Sequence, residues 1–182
     1  LGDNVLDGAM IAAAIGLVVI FALMIIFYRG MGVASSLALM IYVILYVAIL
    51  AIFPGVQLTF PGIAGIILSI GMAVDANVVI FERIKDEYGN GKRVKAAVDA
   101  GFKRAVITVL DSNVTIIIAS IVLWIFCSGS IKGFAITLFL GVIVSLFTAI
   151  FVTRWLLNVM KPFGGTEDEG VAKLFNLKRR DA

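Results

Sequence analysis

The sequence predicts an all-α membrane protein in which five helices cross a bilayer. Two observations carry that prediction. Of the 182 residues, 62% are hydrophobic and 15% charged, with 18 glycines besides, far more apolar than the roughly 45–50% (glycine included) of soluble domains. Four uncharged runs, at 8–28, 30–74, 112–131 and 133–153, each reach the ~18–20 residues that span a hydrocarbon core. The second run is long enough for two helices.

Taken in order, helix A falls at about 9–28 and ends at Arg29-Gly30. Helix B, at 33–53, stops at Pro54-Gly55, because proline cannot continue a helix. Helix C, at 62–82, starts from Pro61-Gly62, proline being suited to a first helical turn. Within the charged stretch 82–104, residues 92–104 put Val94, Ala97, Val98, Gly101 and Phe102 on one helical face. Lys92, Arg93, Lys95, Lys103 and Arg104 lie largely elsewhere, which predicts an interfacial amphipathic helix. It reads either as a connector with basic anchors or as a docking surface. Helices D (105–126) and E (133–157) follow. The tail, 161–182, runs through Gly164-Gly165 and acidic 167–169 to Lys178-Arg179-Arg180, and is read as a cytoplasmic linker or mobile end.

Orientation comes from the basic residues. All of the 15 lysines and arginines except Lys132 fall on one side of this arrangement, which the positive-inside rule makes cytoplasmic. The N-terminus, with Asp3 and Asp7, is then outside. The net charge of +3 means little as a sum beside that asymmetry, and no nucleic-acid partner is expected. A single cysteine and no histidine leave no thiol pair and no imidazole, so neither a metal nor another cofactor is expected. Cys127 reads as a packing residue. A chain opening Leu1-Gly2-Asp3-Asn4 reads as a segment of something longer.

Small residues form two stripes, Gly62, Gly65 and Ser69 on helix C and Thr137, Gly141, Ser145 and Thr148 on helix E. Such stripes let helices approach closely. Polar residues inside the spans are more telling: Asp75 and Asn77 on helix C, and Asp111, Ser112 and Asn113 on helix D. An aspartate at mid-helix costs roughly 2.5–3.5 kcal/mol on insertion scales, so it ordinarily faces protein or water and has a role. Asp75 precedes Glu82 by seven residues and Asp111 follows Arg104 by seven, which sets both about 10 Å below the same boundary. If helices C and D are antiparallel neighbours, the two carboxyls share one polar pocket, with Asn77, Asn113, Thr108 and Thr115 as hydrogen-bond partners. A carboxyl so placed suits a proton relay, neutral when facing one side and ionised when hydrated from the other. No lysine or arginine of the five helices reaches it, so a counter-charge must come from another chain or from a part of the protein outside this sequence.

The stretch Gly71-Met72-Ala73-Val74-Asp75-Ala76-Asn77-Val78-Val79-Ile80-Phe81-Glu82-Arg83-Ile84 resembles the signature of the SecD family of protein-export membrane subunits. Supporting stretches are Pro61-Gly62-Ile63-Ala64-Gly65, Asp111-Ser112-Asn113-Val114-Thr115, Gly133-Phe134-Ala135 and Phe147-Thr148-Ala149, so the likeness runs over nearly residues 1–160. Ala73-Val74-Asp75-Ala76-Asn77 favours SecD over its paralogue SecF, which carries a serine-isoleucine-asparagine-aspartate pattern there. The resemblance implies half of an RND-type bundle in the bacterial inner membrane. It also implies SecF and the SecYEG channel as partners and proton-driven late translocation of unfolded preproteins. The first helix and the extracytoplasmic domain that grips the preprotein would precede Leu1. In that family the aspartate matching Asp75 is held central to proton passage, and a role for Asp111 is less defined.

Other classes predict other outcomes. An intramembrane aspartyl protease would use the two aspartates as a dyad, but Gly-Met-Ala-Val-Asp lacks that class's glycine-x-glycine-aspartate pattern, and the chain is read as no enzyme. A sister RND exporter of lipid or drug shares the architecture. A passive scaffold for the channel predicts no cost on replacing Asp75.

Overall fold

A computed structural model describes residues 2–53, 59–160 and 168–177. Helix α1 spans Gly2–Tyr28, α2 Gly30–Ile52, α3 Phe60–Gly89, α4 Val94–Phe126 and α5 Ser130–Phe147. A π-helical turn, Thr148–Val152, joins α5 to α6 (Thr153–Met160), and α7 is Asp168–Leu174. Among the described residues, five stretches are long and apolar enough to cross a membrane, α5, the π-turn and α6 together making the fifth.

The first two helices reverse at Arg29, whose φ is +48°. Just past the turn Gly32 lies on the backbone of Met24, where a Cβ would overlap the carbonyl oxygen. Helix α2 starts at Gly30, three residues earlier than the apolar pattern places it. Pro54-Gly55 lies outside the described residues. Helix α3 begins as its proline predicts: Pro61 sits in the first turn and the Thr59 hydroxyl accepts from the Gly62 N–H at 3.3 Å.

Other expected boundaries also differ, α1 starting at Gly2 and not at 9. Helix α3 continues beyond Glu82 to Gly89, and the helix expected at 92–104 is no separate element but the first third of α4. Gly101 explains the continuity, because it sits directly on the Ile84 backbone and binds the start of α4 along the end of α3. The face Val94, Ala97, Val98, Gly101 and Phe102 is buried against the bundle, not laid on lipid. At 30 and 33 residues, α3 and α4 run to about 45 and 50 Å and so outreach the ~30 Å hydrocarbon core.

Helix α3 is central, packed on α1, α2, α4 and α5. Its contact with α5 is built from small residues. A side chain at Gly65 would strike Thr137, and one at Gly141 would strike Ser69; Gly62, Ser145 and Thr148 are buried in the same seam. Tyr46 of α2 crosses to it and donates to the Thr137 carbonyl at 2.7 Å. The main core gathers Met31, Phe81, Ile84, Val98, Phe102 and Leu157.

The last described segment is docked, which differs from the linker expected of it. Phe175 is fully buried, Ala172 and Leu177 join the main core, and the Leu174 backbone rests on Gly30. Asn176, at φ +53°, donates its side-chain N–H to the Phe27 carbonyl at 3.1 Å. Residues 161–167, including Gly164-Gly165, and 178–182 lie outside the described residues.

Candidate functional site

Asp75 sits on α3 in the outward stripe Ala64, Ile67, Leu68, Gly71, Asp75 and Glu82, whose three-, four- and seven-residue spacings keep it on one face. Nothing stands within 4 Å of where a Gly71 side chain would project, so the surface one turn before Asp75 is open. Two residues on, about 200° around the helix, Asn77 points inward and is buried. One turn of α3 therefore presents an exposed carboxyl on one side and a buried amide on the other.

Asp111 is level with Asp75, as the antiparallel packing of α3 and α4 requires. Gly101 meets Ile84, Asp75 lies nine residues from Ile84, and Asp111 lies ten from Gly101. The shared closed pocket is not formed. Asp75, Asp111, Thr108 and Thr115 are all exposed on the outside of the bundle, and neither carboxyl takes a hydrogen bond or ion pair among the described residues. Asn113 is buried, donates to the Val109 carbonyl of its own helix at 2.7 Å, and leaves its Oδ1 unpartnered among the described residues. The physical reason is register: Asn77 is buried against the fifth span, and Asp75, about 200° round α3 from it, is thereby turned outward.

Asn77 has a partner that sequence reasoning missed. Its Oδ1 accepts from the Thr153 hydroxyl at 2.7 Å, and its Nδ2 donates to the Ala73 carbonyl at 3.2 Å. Thr153 follows the π-turn and faces α3; the sequence carries no trace of that turn, because Ser145, Ala149 and Thr153 keep ordinary four-residue steps. Glu87 was also missed: it lies in the charged stretch 82–104, where no role was assigned to it. It is buried and holds Lys92 Nζ at 2.5 Å and Arg104 Nη1 at 2.6 Å. The Lys92 hydrogen bond holds its carboxyl below the ordinary carboxylate range against the opposing effect of burial, with the charges of Arg104 and Lys92 adding to the lowering. Glu87 lies on the charged extension of α3 beyond its apolar span and ties the turn to α4.

No group of acidic, cysteine or histidine side chains among the described residues is arranged to hold a metal ion.

The family model described as protein export membrane protein SecD/SecF, C-terminal, matches residues 1–162. The protein translocase subunit SecD of Acidaminococcus fermentans is 48% identical over 185 aligned positions, covering all of this chain and 44% of that protein. Its counterpart in Synechocystis is 50% identical over 160, covering 88% of this chain and 34% of that one. The crystal structure of SecDF from Thermus thermophilus, a translocon-associated membrane protein, superposes with a TM-score of 0.83 at 36% identity, over 87% of this chain and 22% of that chain. This chain spans less than half the length of these relatives. With its family match extending over both aspartates and the π-turn, the chain belongs to the SecD/SecF family of protein-export membrane proteins.

Proposed function

We propose that this chain is the membrane part of a SecD-type subunit of the Sec export machinery, one that uses the proton-motive force to complete late preprotein translocation beside SecYEG. Asp75 carries the proton. The observation behind this reading is its place on the outward face of α3: an uncompensated aspartate facing lipid costs roughly 2.5–3.5 kcal/mol, so a partner with a complementary charge covers that face, and SecF is the partner. Protonation and ionisation of Asp75 then change the fit between the two chains, and the extracytoplasmic domain moves with it. One proton crossing 100 mV releases about 2.3 kcal/mol, enough to shift a two-state equilibrium more than tenfold. Asp111, level with Asp75 and also outward, serves as a second station. The subunit sits in the bacterial cytoplasmic membrane with its C-terminal side in the cytoplasm, as the lysines and arginines favour.

The test is Asp75→Asn in the complete protein, at matched expression, with completion of preprotein translocation followed in vesicles after ATP removal, with and without a proton gradient. Loss of gradient-driven completion while SecF still co-purifies is expected. Unchanged completion would leave a passive scaffold or an exporter of another substrate.

A further inference from the structure

The fifth span is irregular at one place. The Thr153 N–H bonds to the Thr148 carbonyl five residues back, so the turn Thr148–Val152 holds one residue more than an α-helix would, and everything after it is rotated by about 100°. The buried stripe records this. Thr137, Gly141, Ser145 and Thr148 face inward at steps of four, four and three, Thr148 and Ala149 are both buried within the widened turn, and after it Thr153 is fully buried while Val152 is only partly so.

The rotation delivers the Thr153 hydroxyl to Asn77 Oδ1 at 2.7 Å, with both groups buried. Asn77 in turn holds the Ala73 carbonyl, so residues 73 and 77, which bracket Asp75 on α3, are fixed together from the side opposite the carboxyl. If the segment returned to α-helical register, Val152 would take the place of Thr153. Asn77 Oδ1 would then be buried with no donor, an arrangement that costs free energy and favours a shift of the α3 turn. The two registers are discrete, which is what a coupling element requires.

Resting on the proton-relay reading above, we propose that Thr153 is a positioning residue for Asp75: the π-register of the fifth span, through the Thr153–Asn77 hydrogen bond, holds the Asp75 turn of α3 in one orientation, and loss of that register releases it.

The test uses the complete protein in vesicles and measures the rate of preprotein completion, after ATP removal, against the size of an imposed proton gradient. Thr153→Val keeps the shape and removes the donor. At the gradient that half-saturates the unmodified protein, its rate is expected to fall about fivefold, the size of one lost hydrogen bond, with the ATP-driven phase unchanged and Thr153→Ser restoring the curve. Asn77→Ala is expected to shift the curve in the same way, and the double variant no further than either single one. Superimposable curves for Thr153→Val and the unmodified protein overturn the proposal, as do additive effects in the double variant or a Thr153→Ser curve that matches Thr153→Val. Should Thr153→Val fail to assemble, Asn77→Ala reads the same bond, and an unshifted curve there is equally fatal. Asp75→Asn separates the two levels. If it keeps gradient-driven completion, the relay reading falls; if it loses it while Thr153→Val behaves as unmodified, the positioning role alone falls.

Discussion

Gly101 of α4 lies on the backbone of Ile84 of α3, so closely that a Cβ at position 101 would come within 2.7 Å of both Ile84 N and Cα. Backbone atoms cannot step aside as a flexible side chain can. Gly101→Ala therefore has to part the two helices, and is expected to destabilise the bundle by about 1–3 kcal/mol, with Gly101→Val worse. Denaturant unfolding in detergent micelles measures this; an unmoved midpoint would show that the contact is looser than its geometry states.

Glu87 bridges Lys92 and Arg104 from a buried position. Glu87→Gln keeps the shape and removes the charge, and is expected to cost about 2 kcal/mol at neutral pH, the range of a charge-assisted hydrogen bond, with both cations partly in water. The pH dependence follows in sign. A folded carboxyl held below its unfolded value contributes fully above the unfolded range near ~4.3 and loses that contribution as pH falls through the lower folded value. Acid should thus destabilise the unmodified chain below about pH 4.5, and Glu87→Gln should flatten that limb of the stability curve. Parallel curves would show that the carboxylate is not what holds the turn.

Asp75 makes no polar contact within the described residues and lies outside the core. Asp75→Asn in this chain alone should leave the unfolding midpoint within about 0.5 kcal/mol of the original, as for other surface substitutions. In the complete protein with SecF, the same change should abolish gradient-driven completion. A large loss of stability in the isolated chain would instead give Asp75 a structural role.

Phe175 is fully buried, and Asn176 bonds the Phe27 carbonyl. Phe175→Ala should undock residues 168–177 without melting the five spans, since the segment closes over a core that the long helices build among themselves. Limited proteolysis should then cut near this segment at least about tenfold faster, as expected when ~1.4 kcal/mol or more of docking energy is lost. An unchanged cleavage rate would mean that the segment is held by its backbone contacts alone.

Much of the fold was legible because lipid imposes a simple code: uncharged runs of sufficient length, ended by Pro54-Gly55, Arg29 or Glu82-Arg83, mark the spans. The joined helix α4 was not, since the sequence reads 92–104 as amphipathic either way, and only the approach of Gly101 to Ile84 decides that its apolar face meets protein. For the site, the depth of Asp75 and Asp111 follows from counting residues, but their outward direction depends on how four helices pack around α3. Thr153 escaped because a π-turn changes the phase of a helix without changing its composition. Glu87 escaped because a buried ion pair and a solvated charge have the same letters.

The α3–α4 hairpin outgrows the bilayer by roughly 15 Å, and Glu87 clamps its turn. A stiff overhang of that length is a lever: a tilt of about 10° within the lipid sweeps its tip by ~3 Å. A rearrangement too small to open any path through the membrane thus arrives in water as a stroke as long as a hydrogen bond, within reach of whatever chain rests against it.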